Sequence, residues 1–355
     1  MFRLIFTVIF TFFLSCHAGT VLEKLAIKNG PVAPEGQFPY QVALQWSSNG
    51  AQFCGGSIIN KRYILTAAHC IYDEPDEDPS ASNPDDYDYD YENSSTETPN
   101  SESFDLGNSS TESSDYEETG YSGILNPNDV QILVGVNKLD DQNGTIYKVE
   151  EIIMHENYTK NPWVTWMADI ALIRIAEDIE FNDRVQPVKL ASSSNPEDLI
   201  FAGIPVVVTG WGFTYQCMEN HNETVNDLRM SKMRIYDLVM CQYEYIDDYN
   251  RQNDESDSTE EYNEANSTEE YKETDSTEEY NEMDELTKLS GIDQGMMCTV
   301  GLQHTCKGDS GGPVVDERGV QVGIVSFGTV GLPDVNTNVK FYSEWISNNS
   351  KITEN

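Results

Sequence analysis

Residues 304–313 read HTCKGDSGGP, with Ser310 set between an aspartate and two glycines and a histidine six residues ahead. A serine hydroxyl is a weak nucleophile at neutral pH. It attacks only when a base lies within hydrogen-bond reach and a carboxylate orients that base. Gly308 lets the backbone turn so that its N–H and that of Ser310 can point at one oxyanion, a contribution of ~3 to 4 kcal/mol. The stretch therefore indicates a nucleophilic serine with Gly308 and Ser310 as oxyanion donors.

Two further motifs supply candidates for the base and the carboxylate. TAAHC at 66–70 contains His69, and DIALIRI at 169–175 begins with Asp169, so the order along the chain is His, Asp, Ser. Each residue also has a plain structural explanation: a packed core histidine, a strand cap and a serine in a glycine turn. GDSGGP is the most specific of the three motifs, and their occurrence together favours a catalytic triad.

In these motifs the chain resembles the trypsin and chymotrypsin-like serine proteases, from about residue 27 to the C-terminus. His69 and Asp169 are 100 residues apart and Asp169 and Ser310 are 141 apart, against about 45 and about 93 in the family. The excesses are close to the lengths of two acidic segments. The resemblance thus implies a serine protease domain at 27–355 with insertions at about 73–122 and 247–287, and a secreted serine endopeptidase as the function.

The two acidic segments carry most of the charge. The whole chain has a formal net charge of -40, and residues 73–118 hold 17 acidic residues and no Lys or Arg. Residues 247–285 hold 17 acids against Arg251 and Lys272, with STEEY repeated at 258, 267 and 276. Neither segment has the apolar content to bury a face, which predicts disordered loops. Such a surface repels nucleic acid and anionic membranes, so no partner of either kind is expected.

The remaining chain has the pattern of an all-β protein. YQVALQW (40–46), VQILVGV (130–136), IPVVVTGW (204–211) and VQVGIVSF (320–327) are short runs rich in Val and Ile and bounded by Gly, Asn and Pro. Only VKFYSEWI (339–346) has helical spacing. The family resemblance makes this pattern two six-stranded antiparallel β-barrels, with a C-terminal helix and the triad in the cleft between the barrels.

The N-terminus predicts secretion. An apolar run at 4–14 follows Arg3, and small residues around Ala18 suit signal peptidase, which gives a signal peptide at 1–18 and a short propeptide at 19–26. Seven sequons agree with an extracellular protein. They are Asn93, Asn108, Asn143, Asn157, Asn222, Asn266 and Asn348.

Six cysteines remain once Cys16 leaves with the signal peptide, and an oxidising compartment favours three disulfides. The resemblance implies the pairs Cys54–Cys70 and Cys241–Cys298. Cys306 departs from the family pattern, since the loop after SFG (326–328) has no cysteine. The remaining choices are a bridge from Cys217 to Cys306 or two free thiols.

Activation is a second departure. By resemblance Ile27 becomes a new N-terminus whose ammonium group pairs with Asp309, because burying that carboxylate unpaired would cost several kcal/mol. The residue before Ile27 is Ala26 rather than Arg or Lys, so a tryptic activator would not choose this bond.

The substrate-binding residues implied by the resemblance are His304, Lys307, Ser326, Gly328 and Asp334. Trypsin relatives place an aspartate at the position of His304, and glycine is usual at the position of Asp334. One interpretation is a pocket that accepts Lys or Arg through Asp334. The other is a His304–Asp334 ion pair that leaves a shallow polar pocket. Lys307 lies at the pocket rim or is simply solvated.

The expected partners are protein or peptide substrates and protease inhibitors, with the chain itself a monomer. The acidic loops either recruit basic protein substrates or are solvated spacers. No cofactor is expected, and no metal-binding motif is visible. The alternative function is a catalytically silent protease homologue that acts as a binding protein or decoy.

Overall fold

A computed structural model of the chain describes residues 25–26, 30–72, 123–160, 166–212, 225–254, 285–329 and 331–352. The predicted signal peptide, Ile27, Cys217, the whole of the first predicted insertion and the central part of the second lie outside these residues. The described residues form seventeen strands, in chain order: β1 Leu25–Ala26, β2 Gln41–Trp46, β3 Gln52–Ile58, β4 Tyr63–Thr66, β5 Val130–Val134, β6 Thr145–Met154, β7 Thr159–Lys160, β8 Trp166–Met167, β9 Ala171–Ile175, β10 Lys189–Leu190, β11 Pro205–Gly210, β12 Arg229–Tyr236, β13 Met296–Gly301, β14 Gln303–His304, β15 Pro313–Asp316, β16 Val320–Phe327 and β17 Asp334–Asn338.

The first barrel is closed by six antiparallel strands in the order β2-β3-β4-β9-β6-β5. β-Branched and leucine side chains fill it, because they pack well on a pleated surface that is removed from water. The largest fully buried side chains on its strands are Leu44, Ile58, Ile64, Leu65, Ile132, Leu172, Ile173 and Ile175.

The second barrel closes in the order β11-β12-β13-β17-β16-β15, through the pairings of β15 with β11 and of β16 with β17. The short β10 adds to β16 in parallel. The all-β prediction with two six-stranded antiparallel barrels is therefore confirmed. All four predicted Val- and Ile-rich runs form strands of these barrels, β2, β5, β11 and β16.

The helices differ from the prediction. The C-terminal helix α3 spans Ser343–Asn349 and so begins later than the VKFYSEWI spacing indicates. Helix α1 spans Leu238–Asp254, and a short helix α2 occupies 285–290. The prediction of an irregular loop from residue 247 is thus wrong for residues 247–254.

Helix α1 continues into the acidic segment for a physical reason. Its first half is fixed by Cys241 and Tyr245, which are buried against Ile292 and Val335. Its second half is then extended by i,i+4 and i,i+3 ion pairs from Arg251 to the two aspartates at 247 and 248. A helix already anchored by tertiary packing tolerates an acidic, exposed second half.

Candidate active site

The candidate base and its carboxylate are held by two close contacts. His69 lies in a 3₁₀ turn, Ala68–Cys70, that follows β4, and Asp169 lies just before β9. The Asp169 carboxylate accepts the His69 backbone N–H on Oδ1 at 2.8 Å, and its Oδ2 lies 2.7 Å from His69 Nδ1. Asp169 is buried, with 2% of its surface exposed. This arrangement places the proton of a neutral imidazole on Nδ1 and leaves Nε2 as the basic nitrogen.

Strands of the second barrel complete the surroundings of Asp169. Ser326 on β16 donates its hydroxyl to Asp169 Oδ2 at 2.5 Å, and Thr337 on β17 donates to the Asp169 carbonyl at 2.6 Å. Ser326 was predicted as a substrate-binding residue, and its hydroxyl is directed at the carboxylate. Ala168, just before Asp169, has φ 50°, a left-handed conformation that costs a non-glycine residue of order 1–3 kcal/mol.

Ser310 lies in the turn before β15, where it bridges the two barrels. Its carbonyl accepts the N–H of Gly55 on β3 at 2.7 Å, and the next residue, Gly311, donates its N–H to Val325 on β16 at 2.8 Å. A Cβ at Gly311 would overlap the Thr66 hydroxyl, only three residues before His69. The glycine therefore permits the serine turn to approach the strand that leads to the histidine.

The predicted oxyanion segment, 308–310, is held by a hydrogen bond from the first barrel. Gly308 has φ 93°, a conformation that glycine adopts readily, and its carbonyl accepts the Gln52 side-chain amide at 2.8 Å. This contact joins β3 to the segment that carries the N–H groups of Gly308 and Ser310. Gln52 was missed from the sequence, because a contact across 256 residues leaves no local signal.

Asp309 is a buried carboxyl beside Ser310. Its Oδ1 accepts the N–H of Gly212 at 2.9 Å and its Oδ2 that of Cys306 at 3.1 Å. Burial raises the pKa of Asp309 to about 7, and the two backbone donors oppose that rise. A Cβ at Gly210 or Gly212 would overlap this carboxylate, so the glycines of TGWG make the space for it. Its predicted ionic partner, Ile27, lies outside the described residues.

Three of the five predicted pocket residues, His304, Gly328 and Asp334, lie close together at the start of β17. The Asp334 carboxylate is buried and accepts the Thr305 N–H on Oδ2 at 2.7 Å. His304 is buried as well, and its Nδ1 lies 3.1 Å from the Thr305 carbonyl. A Cβ at Gly328 would come within 2.8 Å of Asp334 Oδ1. Lys307 is exposed.

Residues just ahead of the predicted activation site contact this region. Leu25 and Ala26 form β1 and pair in parallel with Gln303 and His304, which form β14. The segment before Ile27 is thereby joined through its backbone to a strand that carries a predicted pocket residue.

The disulfides include both pairs that the resemblance implies. Cys54 is bonded to Cys70, with Cα atoms 6.1 Å apart, and Cys241 to Cys298. Cys306 is also disulfide-bonded. The predicted partner, Cys217, lies outside the described residues, so that pairing stays a prediction. Among the described residues, the one group with metal-ligand spacing is Cys54, His69 and Cys70. Both of its sulfurs belong to the disulfide, so neither is a thiolate ligand.

The Trypsin family model matches residues 27–105, 121–267 and 251–346. The chain belongs to the trypsin family. Chymotrypsin-2 of Vespa crabro is 29% identical to this trypsin-family chain over 91% of its length and 99% of the relative's. The clotting factor G beta subunit of Tachypleus tridentatus is 25% identical, over 93% of this chain and 81% of the relative.

Solved structures agree on the fold. Neuropsin, a serine protease expressed in the limbic system of mouse brain, matches 91% of this trypsin-family chain and 99% of its own with a TM-score of 0.54 and 21% identity. The family membership makes this chain a chymotrypsin-like serine endopeptidase, with proteins as its substrates. None of the helices in the described part of the chain has the length and apolar content needed to span a bilayer.

Proposed function

We propose that Ser310, His69 and Asp169 are the catalytic triad of a secreted endopeptidase. The observation that carries this proposal is the Asp169 carboxylate, which contacts both the backbone N–H and Nδ1 of His69. Two contacts to one residue fix the imidazole position and its tautomer together. That is the role an orienting carboxylate has in acyl transfer.

In the first step His69 Nε2 removes the proton from the Ser310 hydroxyl while the oxygen attacks the carbonyl carbon of the scissile peptide. The imidazolium that forms is stabilised by the adjacent Asp169 carboxylate. The N–H groups of Gly308 and Ser310 bind the oxyanion of the tetrahedral intermediate. His69 then donates its proton to the leaving amine. A water molecule, deprotonated by the same nitrogen, then attacks the acyl carbon. The bond to the Ser310 oxygen breaks, and His69 returns the proton to that oxygen as the carboxylic acid product leaves.

Substitution of Ser310 by alanine tests the triad. We expect Ser310→Ala to lose on the order of a million-fold in peptide ester hydrolysis and all labelling by a fluorophosphonate probe, since no other group supplies the attacking oxygen. Ser347→Ala, an exposed serine of α3, is the matched control and should retain both. Equal turnover by the wild-type chain and Ser310→Ala would support a binding protein on a protease scaffold.

The primary pocket is proposed to accept lysine or arginine through Asp334. Support comes from a buried carboxylate beside Gly328 and Thr305, where a cationic side chain would gain an ion pair in a site of low dielectric. We expect Asp334→Asn to lower kcat/KM for ester substrates with Lys or Arg before the scissile bond about 100-fold, and to leave those with Leu or Phe nearly unchanged. A preference unaffected by the substitution would favour a shallow polar pocket instead.

Secretion, activation and recruitment belong to the same proposal. We infer a signal peptide at 1–18 and a propeptide at 19–26, and cleavage before Ile27 would release an ammonium group to pair with Asp309. One relative is named as a clotting factor subunit, which suits a secreted enzyme. The acidic insertions are proposed to recruit basic protein substrates, and the enzyme is proposed to be a monomer.

A further inference from the structure

A groove of about 500 Å³, here called the aromatic groove, is lined by Ala168, the residue before Asp169, but not by His69, Asp169 or Ser310. It is formed by the segment after β6, the residues just before Asp169, the turn before β13 and helix α3. We define it by Glu156, Asp293, Glu344, Tyr342, Trp345 and Ala168. None of the residues that line it has a role in the proposed mechanism.

One wall of the groove is aromatic. The ring of His155 lies 5.2 Å from that of Tyr342 and 5.0 Å from that of Trp345, measured between centroids. Phe341 extends the wall and is 56% exposed. Exposed aromatic faces beside a groove are typical of binding surfaces, because they offer a large contact area and an electron-rich face.

Three acidic residues also line the groove, Glu156, Asp293 and Glu344. Glu156 Oε2 accepts the indole N–H of Trp345 at 3.0 Å, which fixes its position at the edge of the ring. Asp293 accepts the Gly295 N–H at 2.8 Å and is partly buried, and burial raises its pKa. Among the described residues that line the groove, none is a lysine or an arginine.

His155 does not neutralise these carboxylates. Its Nδ1 accepts the Asn157 N–H at 3.1 Å, a contact that requires an unprotonated nitrogen, and burial lowers the pKa of the ring. The 3.9 Å approach of Nδ1 to Glu156 Oε2 is therefore not an ion pair at neutral pH. The groove combines negative charge with an aromatic face.

We propose that this groove binds a lysine or arginine side chain of a protein substrate or partner. A cation satisfies both features at once, by ion pairing with the carboxylates and by stacking on Trp345 and Phe341. An anionic ligand would be repelled, and so would the acidic insertions of this chain. An apolar ligand would desolvate the carboxylates without compensation.

The groove would be a defined site for the proposed recruitment of basic substrates. This role in recruitment rests on the proposed function. The groove also adjoins the triad, since Ala168 lines it and directly precedes Asp169. The pKa of Tyr342 is raised mainly by burial, then by the charge of Asp293, and least by the charge of Asp169. A substrate bound there would be held on the side of the carboxylate rather than in the primary pocket.

The test measures binding on full-length Ser310→Ala, so that it does not depend on turnover. The probe is a fluorescein-labelled Gly- and Ser-based peptide with two arginines, and its twin carries neutral citrulline at both places. Fluorescence anisotropy is recorded after enzymatic trimming of N-linked glycans, because Asn157 and Asn348 are sequon residues at the groove. We expect the arginine peptide to bind about 10-fold tighter than its twin.

The double variant Glu156→Gln/Glu344→Gln should reduce this preference to about 2-fold, while glutamine at 156 can still accept the Trp345 N–H. Glu177→Gln, an exposed glutamate that does not line the groove, is the control and should keep the full preference. A preference retained by the double variant but lost in Asp334→Asn would place the cation in the primary pocket and overturn the inference. Equal binding of both peptides would overturn it as well. Failure of the triad proposal would appear only in the hydrolysis assay.

Discussion

Asp309 is the buried titratable group with the most direct consequence for stability. Its carboxyl is 1% exposed and receives two backbone N–H groups but, among the described residues, no cation. Its pKa of about 7 in the folded chain lies well above the value of about 3.9 for an unfolded aspartate. Folding therefore binds a proton at this residue in the pH range between these values.

The sign of the effect follows from linkage. Below about pH 3 the carboxyl is protonated in both states. As pH rises toward 7 the unfolded chain releases its proton first, which lowers the free energy of unfolding by about 4 kcal/mol. We expect uncleaved Ser310→Ala to lose this stability between pH 4 and 7 in urea titrations. Adding Asp309→Asn should flatten the curve, whereas adding exposed Asp183→Asn should not. Parallel curves for all three chains would contradict the prediction.

At the scale of elements, two strands of the second barrel fix the position of Asp169, which lies just before strand β9 of the first barrel. Ser326 on β16 contacts the Asp169 carboxylate, and Thr337 on β17 contacts its carbonyl. These strands are hydrogen-bonded to each other, with Ile324 opposite Thr337. The position of Asp169 therefore depends on the docking of one barrel against the other.

Thr337→Val tests this dependence. Valine has the shape of threonine but leaves the buried Asp169 carbonyl without its donor, which costs about 1–3 kcal/mol. We expect a lower midpoint of thermal unfolding and a fall in kcat of about 10-fold with little change in KM. Thr337→Ser restores the hydroxyl and should recover most of kcat. A variant with normal kcat would show that the bond does not position the carboxylate.

The sequence predicts the elements and the triad because their signals are local. Val- and Ile-rich runs indicate β2, β5, β11 and β16, and three short motifs identify His69, Asp169 and Ser310 as candidates. The second half of α1 was not predicted, because its acidic composition is typical of a disordered loop. The ion pairs of Arg251 and the packing of the first half of the helix, which stabilise it, are not visible in that composition.

The contacts that support the candidate active site could not be predicted from the sequence. Gln52 and Thr337 act across 256 and 168 residues, and neither lies in a motif. The aromatic groove joins residues near 156, 293 and 344, whose proximity depends on how the segments around both barrels come together. Only the folded chain reveals such sites.

At the scale of the whole molecule, charge is distributed unevenly along the chain. Of the formal net charge of -40, residues 73–118 contribute -17 and residues 247–285 contribute -15, a sum of -32. The first of these segments begins four residues after His69 in the sequence. Long-range attraction of basic proteins should therefore reside in the insertions rather than in the barrels.

Deletion of the acidic insertions tests whether they increase the rate of substrate association without affecting the chemical step. Residues 76–118 and 257–282 would be replaced by short Gly-Ser linkers, which keeps α1 and α2 intact and costs little, because loop closure depends only logarithmically on length. We expect kcat/KM for a small ester to stay within about twofold. For a basic protein it should fall about 10-fold at low salt, and the difference should vanish as salt shortens the Debye length below about 8 Å. An equal change for both substrates, or no change, would favour solvated spacers.

The backbone pairing of Leu25 and Ala26 with Gln303 and His304 would affect the rate of the proposed propeptide cleavage. A processing enzyme must accommodate the bond after Ala26 in an extended, accessible conformation, and residues already paired in a sheet are withheld from it. The proposed cleavage before Ile27 would therefore require a local opening, and its rate would follow the fraction of molecules in which β1 is detached. A ladder of two residues opens readily, so the precursor would be protected for a time rather than permanently. The same opening would release the strand that ends at His304, so the step that exposes the bond would also loosen the pocket wall.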